Sequence, residues 1–450
     1  AADPLSTRVV EVTDTTSGRS LHFEWDASGR ITSVATDPVT TGAGTAPMTW
    51  RYYYDGDDLV AACDPRDNTQ GGSCTRYEHD RALDAKGRIT KVVRPMGNAE
   101  RAVTYDPKDR MATVTDAGGG VTKYSYADPV PSGLSARQTN VDPLGNTTTI
   151  DYDSDYRVVR MVDPIGGETT YHYDANGFRD RVKDQLGNET LLTYDEQGNL
   201  LDSKDPIGGH RYQKFDERGN VVELRDERSS GPSDNTYRTK FTYDTFDRPT
   251  VITSAVAPGA PSGLSRTWTY AAGKFENDRW VGTEAAVGGG VMPPGVTLRD
   301  EDPGGSTSTY KYNAAGDMVE TTTPNGLRIT YTYAELGRKL TETGHDPSFA
   351  EPLTTTTDYD RVGNVISQTY APTTNAITGE GHQRKTVTVY DRNNNATSST
   401  DVDVVGSDAD RVTTIGYDPA DRPVSVTDAE GAVTSTKYDA IGNVIEATDA

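Results

Sequence analysis

From its middle outwards, the chain repeats itself every 21 residues. Aromatic-Asp pairs at Tyr152-Asp153, Tyr173-Asp174, Tyr194-Asp195 and Phe215-Asp216 keep that spacing without a slip. A second motif runs between them at the same period: Asp142-Pro143-Leu144-Gly145, Asp163-Pro164-Ile165-Gly166, Asp184-Gln185-Leu186-Gly187 and Asp205-Pro206-Ile207-Gly208. A short fixed period restricts a chain to architectures in which each unit is one supersecondary element stacked on its neighbours. Copies continue outwards with insertions, from Trp25-Asp26, Tyr54-Asp55, Leu83-Asp84 and Tyr105-Asp106 to Tyr243-Asp244, Tyr359-Asp360, Tyr417-Asp418 and Tyr438-Asp439. Residues 1–450 therefore read as a single repeat segment, most regular over 142–220. An irregular insertion of about 255–309, rich in Pro and Gly, holds Trp268 and Trp280.

One unit can be read residue by residue. In Tyr-Asp-x-x-Gly the carboxylate accepts a backbone N–H two residues on, and the Gly supplies the left-handed conformation that closes a tight turn. Asp153, Asp174, Gly177, Asp195, Gly198, Asp216, Gly219, Asp360, Gly363, Asp439 and Gly442 are assigned to these turns. Where Gly is missing, Asp109, Asp247, Asn394 and Asp421 take its place, the residues that best tolerate φ > 0 after Gly. Asp-Pro-x-Gly makes the opposite turn, with Pro setting φ. Between turns lie Thr-, Tyr- and Val-rich runs such as Glu168–Tyr173 and Glu189–Tyr194, which suit strands. No segment sustains a helical apolar period. The expected fold is all-β: continuous antiparallel hairpins of about 21 residues, coiling through their natural twist into a spiral shell or closing into a barrel-like wall.

Composition supports this reading and removes others. Only 33% of the residues are hydrophobic and the formal charge is −23, a balance shared with disordered chains. The 25 Tyr and the fixed placement of Gly and Pro argue against disorder. No apolar run is long enough for a membrane helix, and Ala1-Ala2-Asp3-Pro4 lacks the features of a secretory signal. The charge opposes binding to nucleic acid, which needs clustered Lys and Arg.

The alternation of Tyr-Asp-x-x-Gly-[Asn/Arg] with Asp-Pro-x-Gly-Asn resembles the YD-repeat, or Rhs-repeat, family over roughly residues 20–450. That resemblance implies a shell built from a spiralling sheet. In bacterial polymorphic toxins of this family such a shell encloses a C-terminal toxin domain, and in teneurins it carries adhesion domains. The core motif that plugs bacterial shells, with its autoproteolytic Asp pair, has no counterpart here. The C-terminal core and toxin domain are thus expected to be absent and the chain to be a fragment, with no catalytic role carried over to any residue.

Other constellations carry less. Cys63 and Cys74 flank a turn-rich loop that allows a disulfide; two separate thiols are the alternative. Asp151-x-Asp153-x-Asp155 imitates the start of a calcium loop, but Tyr156 and Val162 stand where Gly and a carboxylate are required. Six dispersed His form no metal spacing, and no cofactor or metal is expected. The pairs Tyr171/Tyr173, Tyr310/Tyr312 and Tyr331/Tyr333 each project to one strand face, as a glycan-stacking ladder or as sheet packing. The leading expectation is a non-enzymatic encapsulation segment of a secreted or cell-surface bacterial protein, its partner its own C-terminal cargo or toxin domain. The alternatives are an adhesion module binding a surface glycan or receptor through 255–309, and a hydrolase hidden among the 68 acidic residues.

Overall fold

The computed structural model describes residues 8–42, 44–80, 87–255, 263–276 and 279–450. The Leu83-Asp84 copy and the Pro/Gly stretch 256–262 lie outside them. Among the described residues there is no helix, and 35 strands form one sheet. Each strand pairs antiparallel with its predecessor and successor, from Glu11–Thr13 to Val444–Thr448. These two end strands do not pair with each other, so the sheet is an open spiral and not a closed barrel.

The two sequence motifs fold into the same turn. At Asp174 the backbone N–H of Asn176 and that of Phe178 donate to Oδ1 at 2.9 and 2.8 Å, and Gly177 N–H returns to the Asp174 carbonyl at 3.0 Å. At Asp163 the donors are Ile165 and Gly167, at 3.0 and 2.7 Å, with Gly166 closing at 3.0 Å. Gly177 and Gly166 have φ of 89° and 87°. At the Tyr-Asp turns the strand register slips by one residue beside the aromatic ring, as at His172/Tyr173 and Thr193/Tyr194. A type I turn followed by a left-handed residue and a bulge has this signature. Asp109, Asp247, Asn394 and Asp421 adopt φ of 67°, 60°, 71° and 59° in the Gly position. Tyr156 does the same at φ 58°, a conformation its residue type does not announce.

The wall is one layer thick. Along Glu189–Tyr194 exposed and half-buried residues alternate, with Tyr on the half-buried side. Fully buried apolar side chains are few and local. Cys63 and Cys74, joined by a disulfide, cluster with Ala61 and Tyr53. Met48 is buried where Arg338 reaches its sulfur, and Ala271 and Met292 within a loop excursion.

That excursion is narrower than the sequence suggests. Ser265–Tyr270 and Thr297–Glu301 are neighbouring strands of the main sheet, so among the described residues of that stretch it is 271–276 and 279–296 that leave the wall, around a hairpin of Gly273–Glu276 and Arg279–Gly282. Trp268 belongs to the wall because its strand keeps the Tyr270 turn position, while Trp280 belongs to the excursion. A second flap, 370–383, hangs between wall strands Val365–Thr369 and Arg384–Tyr390, and its short hairpin pairs Thr373–Thr374 with Gly381–His382.

Candidate functional site: a relay, two rims and a seam

The repeat Tyr is a clamp between units. Tyr173 donates its hydroxyl to the Val158 carbonyl at 3.0 Å, and Tyr194 to Arg179 at 3.2 Å. Tyr105, Tyr126, Tyr333 and Tyr438 make the same bond to a carbonyl 15 or 16 residues earlier. Where the turn ends in Arg, that side chain bonds its own Asp and lies over the Tyr of the next unit. Arg157 donates to Asp153 at 2.9 Å and sits 4.7 Å from the Tyr173 ring; Arg110 pairs Asp106 with Tyr126, and Arg422 pairs Asp418 with Tyr438. Such stacking is favourable because the guanidinium faces the electron-rich ring. Where the turn ends in Asn, the amide donates to the same carboxylate oxygen, at 2.8 Å for Asn199 to Asp195. These bonds hold the carboxyls of Asp153 and Asp195 below the ordinary Asp range.

These Arg and Tyr contacts occupy the face that a glycan-stacking ladder would need. Tyr173 is capped by Arg157, Tyr171 by Arg179 and Tyr331 by Lys339. Burial pushes the Tyr333 phenol up to about 12. Nor does Asp151 join Asp153 and Asp155 around an ion. It is buried on the other face and accepts from Arg137 at 2.5 and 2.8 Å and from Arg160 at 3.2 Å, with its pKa lowered by the Arg137 bond. The sequence reading missed this network because its three residues come from three strands.

All turns of one motif fall on one rim of the wall. Alternation of the two motifs along antiparallel hairpins puts Tyr-Asp turns at one rim and Asp-Pro-type turns at the other. The rims then meet. Arg19, at the turn starting with Asp14, pairs with Asp317 at 3.1 Å. Thr40 donates to Glu335 at 2.9 Å, and Arg66 to the carbonyls of Asp391 and Arg392 at 3.1 and 2.8 Å. Arg94 pairs with Asp421, and Asn98 donates to the Pro419 carbonyl at 2.6 Å. These partners stand 295 to 327 residues apart, and Arg338 and Met48 290. The sheet has therefore coiled once round, and the Asp-Pro rim of its first coil is seated on the Tyr-Asp rim of its second. A cleft of about 760 Å³ along this seam is lined by Arg19, Thr40, Asp317, Tyr333 and Glu335, polar groups that the seam and relay bonds already engage.

Two features project from the wall. In the excursion Trp280 packs edge-on against Phe246, with centroids at 4.3 Å, and against Phe275 at 5.6 Å. Gly282 has no room for a side chain, since a Cβ would lie 1.6 Å from the Met292 carbonyl oxygen. The flap is tied down by His382, whose Nδ1 is 2.6 Å from Asp403 and 3.4 Å from Asp408. The Asp403 bond raises the His382 pKa. Asp403 also accepts the backbone N–H of Gln383 and of Gly406, both at 2.9 Å, which holds its carboxyl low.

Two family models match the chain. The RHS Repeat model matches residues 6–41, 297–328 and 417–450, and the Teneurin YD-shell model matches 80–230. The chain belongs to the YD-repeat, or Rhs-repeat, family. No curated protein sequence matches it. Among solved structures, the YD-repeat chain is similar to the crystal structure of TcdB2-TccC3, at 13% identity and a TM-score of 0.28, over 96% of this chain and 29% of that one. It is also similar to TcdB2-TccC3 without its hypervariable C-terminal region (12%, TM-score 0.28, 96% and 31%). A third is the Photorhabdus luminescens Tc holotoxin pore (11%, TM-score 0.23, 99% and 28%). The YD-repeat chain spans about three tenths of the length of those chains.

Proposed function

We propose that this chain is wall: an encapsulating segment of a secreted or cell-surface bacterial YD-repeat protein that sequesters a cargo domain of the same polypeptide. The observation that carries the reading is the seam. A single-layer sheet that returns to its own rim after 290 to 327 residues surrounds a space instead of filling it. The role is structural and not catalytic. Turn carboxylates such as Asp153, Asp174 and Asp195 already accept two or more hydrogen bonds within their own turns. Electron microscopy of the full-length polypeptide tests the reading: a hollow coiled wall with density inside is expected, and separate compact sandwich domains would refute it.

A second reading rests on the excursion. Phe275 and Trp280 are 58% and 45% exposed on a hairpin outside the wall, and exposed aromatic clusters mark interaction sites. A glycan array and a receptor pull-down with the protein test adhesion; binding unchanged by Trp280→Ala would count against it.

A further inference from the structure

On the flap, one imidazole gathers more negative charge than its proton can offset. His382 ends the short hairpin. Its Nδ1 stands 2.6 Å from Asp403 Oδ2 and 3.4 Å from Asp408 Oδ2, and its Nε2 faces Glu380 at 4.0 Å. Asp403 closes the wall strand Ala396–Asp403, and Asp408 lies in the loop that leads to the next strand, Arg411–Tyr417. Three separate pieces of chain thus converge on one ring nitrogen. Its single N–H satisfies Asp403, the nearer acceptor. Asp408 lies beyond good hydrogen-bond reach and, among the described residues, has no other ion pair. Even a charged imidazole faces three carboxylates, which leaves two negative charges over. No Lys or Arg among the described residues pairs with them; Arg384 and Arg411 are engaged with Asp401 and Glu430.

The surroundings hold these groups in place. Asp403 Oδ1 accepts the backbone N–H of Gln383, Gly406 and Val405 at 2.9, 2.9 and 3.2 Å, so Oδ2 is the oxygen turned to the imidazole. The Asp403 side chain is only 8% exposed. Gly406 keeps the space open, since a Cβ there would lie 2.2 Å from Asp403 Oδ2 and 2.7 Å from His382 Nδ1. A carboxylate locked by backbone donors beside a ring nitrogen is the preorganisation that a cation site needs. The donor atoms of His382, Asp403 and Asp408 all lie within 4.8 Å of one another. Donors about 2.1 Å from a shared ion stand roughly 3.0–3.5 Å apart. The 3.4 Å pair already fits, and the 2.6 Å pair has to open by less than about 1 Å.

We propose that His382, Asp403 and Asp408 bind one divalent transition-metal ion of the zinc type, which clips the flap to the wall. Imidazole nitrogen beside carboxylate oxygen suits Zn²⁺, Co²⁺ or Ni²⁺, whereas Ca²⁺ and Mg²⁺ take oxygen donors. The ion enters where the Nδ1 proton lies, and that proton passes to solvent. Glu380, facing Nε2, orients the ring from the other side. Asp408 is 75% exposed, so water completes the coordination. His22, His172 and His210 each pair with a single carboxylate, that of Asp37, Asp180 and Asp202, and offer no such set. Neither the shell nor the adhesion reading is needed for this site.

Zinc alone is the probe. Protein freed of metal by a chelator is titrated with Zn²⁺ and followed by calorimetry and hydrogen exchange. One ion per chain should bind, with slowed exchange confined to 373–382 and 403–408. Asp408→Asn, at an exposed position, should keep the metal-free exchange pattern and weaken binding about tenfold or more; His382→Ala should abolish it. Co²⁺ should reproduce the stoichiometry, and Ca²⁺ or Mg²⁺ at the same concentration should leave exchange unchanged. Wild-type affinity in Asp408→Asn, equal protection by Ca²⁺, or protection at His22 or His172 without protection at the flap would each overturn the inference. So would a lack of binding, and in every such case the His382–Asp403 contact is a hydrogen-bonded latch while the shell reading stands.

Discussion

At the scale of the residue, the turn is where chemistry and conformation are most tightly coupled. Gly177 has φ 89°, so Gly177→Ala places a Cβ in a region that costs about 1–2 kcal/mol. Tyr156 bears that strain natively at φ 58° and is exposed, so it has no packing to offset it. We expect Tyr156→Asn to raise stability by about 1 kcal/mol and Gly177→Ala to lower it, measured by denaturant unfolding. Acid sensitivity belongs to the same scale. Side-chain hydrogen bonds from Asn146, Arg157, Asn188 and Asn199 hold the carboxyls of Asp142, Asp153, Asp184 and Asp195 below 3.8. Lowered folded-state values contribute stability that is fully present above the unfolded pKa and lost as pH falls through the folded one. The thermal midpoint should thus vary little with these groups between pH 6 and 8 and fall steadily below about pH 4; a midpoint flat down to pH 2 would contradict it.

At the scale of the element, hairpins stand without a core because each is clamped to the next. The Tyr hydroxyl, the backbone ladder and the Asp-Arg-Tyr stack join neighbouring units, so loss of one clamp is a local event. Tyr173→Phe should cost about 1 kcal/mol, read as faster hydrogen exchange in Val158–Val162 and Glu168–Tyr173 with distant strands unchanged. The exception is the hairpin of Asp58–Cys63 and Cys74–Asp80, which has a small core of its own. Cys63 and Cys74 are 1% and 0% exposed, and their disulfide closes a loop with a sequence separation of 11. Cys63→Ser with Cys74→Ser should lower stability by about 2–3 kcal/mol, while reductant should leave the double variant unaffected. Much of this level was legible in the sequence. Turns and strands are local, and the 21-residue period prints each motif many times. The flap at 370–383 was not legible, since Thr373–Thr374 and Gly381–His382 are strands of two residues with no period to announce them.

At the scale of the molecule, the wall is held by a seam of modest ion pairs and hydrogen bonds. Arg94–Asp421 and Arg19–Asp317 are each partly exposed, and such pairs contribute roughly 0–1 kcal/mol apiece. Arg19→Ala with Arg94→Ala should therefore open the seam without unfolding the sheet. The expected readout is faster exchange and proteolysis at turns 94–98, 313–317 and 418–422, with strand protection retained and the effect reproduced in wild type by high salt. Loss of strand protection throughout would mean that the seam and the sheet fold as one unit.

The sequence by itself determined the unit: which residues turn, which pair, that the sheet is antiparallel and all-β, and that 33% hydrophobic residues suffice because a one-layer wall has little interior. These are properties of contacts between neighbours in the chain, and periodicity exposes them. Only the tertiary structure decided the rest. Whether the sheet closes or spirals depends on twist accumulated over 35 strands, too small per strand to read from any one of them. Which rim seats on which, and that Arg19 finds Asp317 across 298 residues, follows from that sum.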